Sequence, residues 1–320
     1  MTHAVPRESV LVTGGSGFIG RHLIEALEKR GFETHSFDLK PCPVPLSGRA
    51  EIVDLCDADA VKRFVGEVNP RYVVHLAGFA SLSASIDEMR EVNVRGTRNL
   101  MRALPPGVVR TVYTSTQLAV KMGVDPGDGT ILAPYTEYGE TKAEMEHAIR
   151  SDAPLPWVII RPANIWGPHH PSFAEAIFKH IAKGYYLHPA GARVFRSYGY
   201  VRNAAEQIVD LMLAPEAEGR ALYVSDEPID SEIWVDRFSL ALRGAKARRA
   251  PRWFLDVIGT AGDVLKKIGL PAPIDSGRVL RMTTSYAVPT AATFKLVKPP
   301  QVSLDEGVAE TKAWLERVWK

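Results

Sequence analysis

The chain has 320 residues, of which 46% are apolar and 24% charged, with a formal net charge of +2 at pH 7. That balance belongs to an ordinary soluble globular protein of one large or two smaller domains, and it excludes a disordered chain, a collagen-like fibre and a coiled coil. The charge is too mild to mark a nucleic-acid binder. Two cysteines, Cys42 and Cys56, cannot form a disulfide framework or a four-cysteine zinc site, and they fit a reducing, cytoplasmic location. The polar start and the lack of a long apolar run predict no signal peptide and no membrane-spanning helix.

Taken in chain order, short β-branched runs alternate with helical patterns. Strands are expected at Val10–Val12, Thr34–Phe37, Tyr72–Leu76, Thr111–Thr114 and Trp157–Ile160. Helices are expected over residues 21–30, 58–68, 88–103 and 135–150. Alternation of this kind predicts an α/β fold, a Rossmann-type doubly wound parallel sheet, with ligands at the carboxyl ends of its strands. Beyond about Pro162 the regularity breaks into a Pro, Gly and His-rich loop at residues 167–171. Helical patterns then follow at 173–183, 204–213 and 231–242, and a last helix opens at Ser303 with Glu306 at capping-box spacing. Residues 1–165 are read as the cofactor domain. Residues 166–320 are read as a smaller, irregular, mainly substrate-binding region whose chain partly interleaves with the first.

Thr13-Gly14-Gly15-Ser16-Gly17-Phe18-Ile19-Gly20 joins the first strand to the first helix. Glycines there allow backbone to approach a pyrophosphate, and the helix N-terminus supplies N–H donors and positive dipole. Asp38, at the end of the second strand, can accept both ribose hydroxyls of NAD and would repel the 2′-phosphate of NADP, although Lys40 nearby leaves NADP open. Tyr138 and Lys142 stand four apart, which puts phenol and ammonium on one helix face. A neighbouring Lys⁺ and the positive nicotinamide are expected to favour the phenolate as a general base.

The Gly-x-x-Gly-x-x-Gly spacing resembles extended short-chain dehydrogenases/reductases, the NAD-dependent epimerase/dehydratase family. Further motifs carry the resemblance along almost the whole chain. Asp54-Leu55 is similar to the adenine-contacting pair, His75-Leu76-Ala77-Gly78 to the strand motif lining the cofactor, and Asn93-Val94-Arg95-Gly96-Thr97 to the helix motif that follows. The resemblance therefore implies cofactor contacts from Gly14, Gly17, Phe18, Ile19, Gly20, Asp38, Asp54, Leu55, Leu76, Ala77, Gly78, Asn93, Tyr138 and Lys142. It implies a catalytic Thr116, Tyr138 and Lys142, with Ser115 the neighbouring alternative to Thr116. Asn164 and Arg196 match positions that meet a nucleotide sugar, and Ser81, Ser83 and Ser85 could reach substrate. Gln117-Leu118 stands where dehydratases carry Asp-Glu, and residues 201–203 read Val-Arg-Asn where the family usually has Val-Asp-Asp.

The reading that follows is a nucleotide-sugar 4-epimerase. Tyr138 would take the C4 hydroxyl proton as hydride passes to NAD, and the keto intermediate would rotate before re-reduction. A dehydrogenase or ketoreductase of a sugar, lipid-linked sugar or sterol-like hydroxyl is the alternative, and a non-catalytic NAD-binding subunit a third. The resemblance implies a homodimer through the helices at 88–103 and 135–150. His169 and His170 are expected to flank the site rather than bind metal, since adjacent side chains rarely converge on one ion. The basic residues from Arg243 to Arg252 precede an apolar helix face from Trp253 to Ile268. That segment reads as packing against core or a second subunit, or as a peripheral membrane contact.

Overall fold

The structure is a computed structural model that describes residues 7–79, 84–154, 156–171, 173–191, 193–272 and 274–320. The elements begin with β1 (Ser9–Thr13), α1 (Phe18–Lys29), β2 (Glu33–Asp38), β3 (Ala50–Ile52), α2 (Ala58–Val68) and β4 (Tyr72–His75). They continue with α3 (Ile86–Arg90), a π-helical stretch Glu91–Gly96, α4 (Thr97–Ala103), β5 (Arg110–Thr114), a 3-10 turn Gln117–Ala119, α5 (Glu137–Asp152) and β6 (Trp157–Pro162). A second π-helical stretch, Ala174–Phe178, leads to α6 (Lys179–Ala182), β7 (Leu187–Pro189), β8 (Phe195–Arg196), α7 (Val201–Leu213), β9 (Ala221–Val224) and β10 (Ile229–Asp230). The chain ends with α8 (Ser231–Arg243), β11 (Arg248–Ala250), α9 (Arg252–Lys267), α10 (Ser276–Thr283), α11 (Ala291–Phe294) and α12 (Leu304–Val318).

Two compact units divide the chain. The first comprises Met1–Ile165, Val201–Asp226 and Pro289–Gln301, and the second the remaining segments. The first unit holds a seven-stranded sheet in the order β3-β2-β1-β4-β5-β6-β9, with every pair parallel. This is the doubly wound α/β sheet expected from the alternating pattern, and its order reverses between β1 and β4. Its central strands are buried almost end to end, as a sheet covered on both faces requires. On one side Leu11, Phe37, Val61, Phe64, Val73 and Leu100 form a continuous core. A second cluster gathers Tyr113, Met145, Ile149, Trp157 and Ile159.

Local chemistry sets the helix ends. Asp57 caps α2 by accepting the Ala60 N–H at 3.0 Å, and α2 stops where Asn69 turns left-handed at φ +48°. Ser303 and Glu306 form the expected capping box on α12. The helix expected over 88–103 is not continuous, because the Glu91–Gly96 stretch widens it to π-helical bonding between α3 and α4. The stretch expected over 173–183 likewise begins as a π-helix.

In the second unit a cluster of Trp166, Phe178, Tyr200, Trp234 and Phe238 has neighbouring ring centroids 4.5–5.9 Å apart. Among the described residues, two short two-stranded pairings, β8 with β10 and β7 with β11, account for its strands.

Candidate active site

β1 delivers the chain into the glycine turn. Gly14 has φ +74°, and its N–H donates to the Phe37 carbonyl at 2.9 Å, while the Gly17 N–H donates to the Gly14 carbonyl at 3.0 Å. A Cβ on Gly14 would lie 2.6 Å from the Ala77 nitrogen, and one on Gly20 would lie 2.2 Å from the Gly14 oxygen. The turn, the first turn of α1 and the end of β4 are thus packed backbone to backbone, which only glycine permits. Gly17 caps α1 without a side chain, and no acidic residue occupies the first turn that Phe18, Ile19 and Gly20 form. An uncapped helix start with this backbone fits a pyrophosphate.

Asp38 ends β2 at the rim of this turn. Its carboxylate accepts the Ser16 N–H at 3.0 Å and the Leu39 N–H at 2.6 Å, and the Ser16 hydroxyl donates to the Lys40 carbonyl at 2.6 Å. Asp54 is exposed and accepts the Cys56 N–H at 2.9 Å, whereas the Leu55 side chain is buried in the core beside Phe64 and Val61.

Behind the site runs a buried hydrogen-bond chain that the sequence motifs do not announce. The Ala77 N–H donates to the Thr13 hydroxyl at 3.2 Å, Thr13 bonds His75 Nδ1 at 2.7 Å, and His75 Nε2 bonds the Thr97 hydroxyl at 2.9 Å. Thr97 in turn donates to the Asn93 carbonyl at 2.7 Å. Proton counting along this path assigns His75 the neutral Nε2–H form. Burial, aided by the Lys142 charge, agrees by pushing its pKa down to about 3. Leu76, Ala77 and Gly78 are thereby held at the end of β4. Asn93 sits in the π-helical stretch, where its amide donates to the Phe79 carbonyl at 2.9 Å and the Thr141 hydroxyl at 3.0 Å. Its side-chain oxygen accepts the Phe79 N–H at 2.8 Å.

Thr136 caps α5 by accepting the Gly139 N–H at 3.0 Å, so Tyr138 falls in the first turn and Lys142 one turn on. The Lys142 ammonium donates to the Thr114 carbonyl at 2.8 Å and lies 3.4 Å from Met145 Sδ. A Cβ on Gly78 would stand 3.2 Å from Lys142 Nζ, so that glycine leaves the ammonium room. Burial pushes Lys142 down to about 8, against the opposing pull of Glu146. Burial also pushes Tyr138 up to about 12. Burial is the cause acting on the phenol in the protein by itself, and the nicotinamide charge, part of the expected pull toward the phenolate, comes only with NAD.

The start of α5 abuts the 3-10 turn, since a Cβ on Gly139 would meet the Leu118 carbonyl at 2.4 Å. Thr116 caps that turn, its hydroxyl accepting the Leu118 N–H at 3.2 Å with its own proton left to donate. The Ser115 hydroxyl is buried and has no hydrogen-bond partner among the described residues. Gln117 does not face solvent as a stand-in acid. Its amide donates to Asn164 Oδ1 at 3.0 Å, and Asn164 itself adopts φ +40°.

Arg196, in the second unit, is on β8 opposite Ile229 and donates to the Thr284 carbonyl at 3.2 Å. Ser85 is taken up in the capping box of α3 with Glu88. Ser81 and Ser83 lie outside the described residues. His170 stacks on Phe173 and His169 faces the Trp314 ring. Arg161, within the sixth-strand motif, is fully buried and forks onto the Glu146 carboxylate with both bonds at 2.8 Å.

The model of the NAD dependent epimerase/dehydratase family matches residues 10–224. A 3 beta-hydroxysteroid dehydrogenase/Delta 5→4-isomerase of Mycobacterium tuberculosis is 33% identical over 250 residues. That match covers 69% of this chain and 66% of the mycobacterial protein, a little under two thirds of its length. The 2-alkyl-3-oxoalkanoate reductase of Stenotrophomonas maltophilia is 30% identical over 329 residues, covering 95% of this chain and 98% of the reductase. Among solved structures, the UDP-glucose 4-epimerase of Thermus thermophilus in complex with NAD is 27% identical, with 96% and 99% of the two chains covered and a TM-score of 0.71. This chain belongs to the NAD dependent epimerase/dehydratase family, as an enzyme with NAD as its cofactor.

Proposed function

We propose that the protein is a NAD-linked oxidoreductase that interconverts a secondary hydroxyl and a ketone on a predominantly apolar substrate. The observation that carries this reading is the α5 pair, with Lys142 buried and anchored on the Thr114 carbonyl one turn after Tyr138. NAD, when bound, supplies the hydride acceptor or donor. The glycine turn and the start of α1 would hold its pyrophosphate, Asp38 its adenosine ribose and Lys142 its nicotinamide ribose. Tyr138 exchanges the proton, taking it from the hydroxyl in oxidation and returning it to the carbonyl oxygen in reduction. Thr116 donates a hydrogen bond to the same oxygen and fixes its direction.

An apolar substrate is favoured over a nucleotide sugar by the relatives of highest identity quoted above, one acting on a hydroxysteroid and one on an alkyl oxoalkanoate by their names. Gln117 also supports a simple redox step, because an amide tied to Asn164 offers no acid or base for elimination. A second reading, nucleotide-sugar 4-epimerisation, keeps the same three residues and is favoured by the whole-chain likeness to the Thermus epimerase. The two differ in net redox change. Incubation with NAD and a panel of hydroxysteroids and 3-hydroxyacyl compounds, followed at the NADH absorbance, should give stoichiometric NADH. Interconversion of UDP-glucose and UDP-galactose without net NADH would instead establish the epimerase. The stretch from α3 through α4, together with α5, would form the interface of a homodimer, which sedimentation of the purified protein checks.

A further inference from the structure

The helix α9 has two apolar faces, and the fold uses only one. Leu255, Gly259 and Gly262 turn inward onto the α10 segment, packed so closely that a Cβ on Gly262 would lie 1.8 Å from the Ile274 carbonyl oxygen. On another side of the same helix, Trp253, Val257, Val264 and Ile268 are 67%, 60%, 56% and 66% exposed. Positions 253, 257, 264 and 268 fall within one narrow arc at 3.6 residues per turn, so they form a single stripe. The core does not account for that stripe, because the helix already packs through its glycine face.

Charge identifies what the stripe meets. Between Arg243 and Arg281 there are nine basic and three acidic residues, a net charge of +6 in a chain whose total is +2, although Lys246 and Arg249 are partly neutralised by Asp236 and Glu232 of α8. Two of the three acids are ion-paired locally, Asp256 with Arg252 at 2.8 Å and Asp275 with Lys266. Arg248, Lys267 and Arg281 are exposed. An isologous contact through this stripe would set two such basic segments against each other, which like-charge repulsion opposes. An anionic lipid surface complements both features: apolar side chains enter the acyl boundary, tryptophan suits the headgroup level, and basic groups meet phosphates. At 16 residues α9 is too short to span a bilayer, and among the described residues no helix is long and apolar enough to do so.

We infer that α9 is a membrane-docking helix that lies in the plane of an anionic bilayer surface, with Trp253, Val257, Val264 and Ile268 inserted. This does not rest on the reaction assigned to the active site. It is tested by flotation of the full chain with vesicles of phosphatidylcholine mixed with phosphatidylglycerol, and with vesicles of phosphatidylcholine alone. Each basic residue near an anionic surface multiplies partitioning roughly fivefold, so binding to the mixed vesicles should exceed the neutral case at least ~10-fold and fall with salt. The combined change Trp253→Glu, Val257→Glu and Ile268→Glu should lower partitioning at least ~10-fold while NADH binding, read by its fluorescence, is retained. Should that variant misfold, Arg248→Glu with Lys267→Glu removes exposed charge only and should weaken binding to the mixed vesicles alone. In the wild type, brominated acyl chains should quench a part of the tryptophan emission that Trp253→Phe removes. Absence from both vesicle fractions, or equal partitioning of wild type and charge variant, would overturn the inference. So would a dimer that Trp253→Glu dissolves in a protein that ignores vesicles, which would make a second copy the occupant.

Discussion

Gly20→Ala separates two reasons for a glycine that are often merged. Gly20 lies in the first turn of α1, and no left-handed φ is recorded for it, so its backbone makes no special demand. On propensity alone alanine should stabilise the helix by about 0.5–1 kcal/mol. Space argues the other way: the new methyl would sit 2.2 Å from the Gly14 oxygen and 2.7 Å from the Gly15 Cα. Both are backbone atoms that cannot rotate aside, so the overpacking cost belongs at the upper end of about 1–3 kcal/mol. The net expectation is a loss of about 2 kcal/mol, with NAD affinity lowered at least ~10-fold because the turn that offers its N–H groups must shift. Urea unfolding followed by far-ultraviolet circular dichroism, and NADH titration by fluorescence, read the two effects. Gly66 in α2 has nothing within 4 Å of the position a Cβ would take, so Gly66→Ala should stabilise by about 0.5–1 kcal/mol and leave NAD binding alone. Gly31 is equally open but has φ +84°, so Gly31→Ala should cost about 1 kcal/mol through conformation only. If Gly20→Ala behaves like Gly66→Ala, the backbone-to-backbone account of the turn is wrong.

The chemistry and the buried charges give three further expectations. Tyr138→Phe should lower kcat about 10²–10⁴-fold while the NADH dissociation constant changes little, and wild-type turnover in that variant would remove Tyr138 from the proton path. Lys142 is held down to about 8 in the fold against an ordinary 10.5, so between those values the unfolded chain binds the extra proton and wild-type stability rises with pH. Relative to Lys142→Met, the wild type should therefore gain about 2 kcal/mol from pH 8 to 9.5 in urea midpoints taken without NAD, and parallel pH curves would refute the burial effect. Glu146→Gln leaves the fully buried Arg161 uncompensated and should cost about 3–5 kcal/mol, whereas Glu146→Leu combined with Arg161→Met should cost clearly less in the same unfolding assay.

Much of this architecture is written in local sequence. The β-branched runs and the amphipathic stretches place five of the seven sheet strands and the long helices of the first unit, and Asp57, Thr136 and Ser303 mark helix starts through short-range hydrogen bonds. The break in the helix near Asn93 escapes such a reading because a six-residue stretch of i→i+5 bonding is too short to show as a change of apolar period. The two outer strands escape for a different reason. β3 is three residues long with Ala50 and Ile52 exposed, too short for any alternation to show. Ala221–Val224 is a four-residue run whose place beside β6 is decided by pairing across more than fifty residues. In the site, spacing put Tyr138 and Lys142 on one face, and the glycine turn and Asp38 on adjoining strand ends. The chain from Ala77 through Thr13, His75 and Thr97 to Asn93 joins residues far apart in sequence, so the histidine's part in it follows only from the fold. Leu55, in the tight turn closed by the Asp57 N–H on the Asp54 carbonyl, sends its side chain into the core, a placement that the motif does not announce.

The sign of the Tyr138 shift is the least legible feature and the one with most bearing on function. Spacing reports that an ammonium lies one turn from the phenol; only the packed structure reports that the ammonium is buried and the phenol partly so. The same desolvation raises the phenol and lowers the ammonium, so each group is driven toward its neutral form. A neutral phenol is a proton donor, which suits reduction of a carbonyl at neutral pH without further adjustment. Oxidation needs the phenolate, and a positive charge brought beside Tyr138 acts more strongly there than it would in water because the surroundings screen it less. Burial of Lys142 therefore costs stability in the isolated fold and strengthens the electrostatics on which the proton transfer depends. Replacing it with methionine should move those two quantities in opposite directions near neutral pH, a more stable chain with weaker turnover.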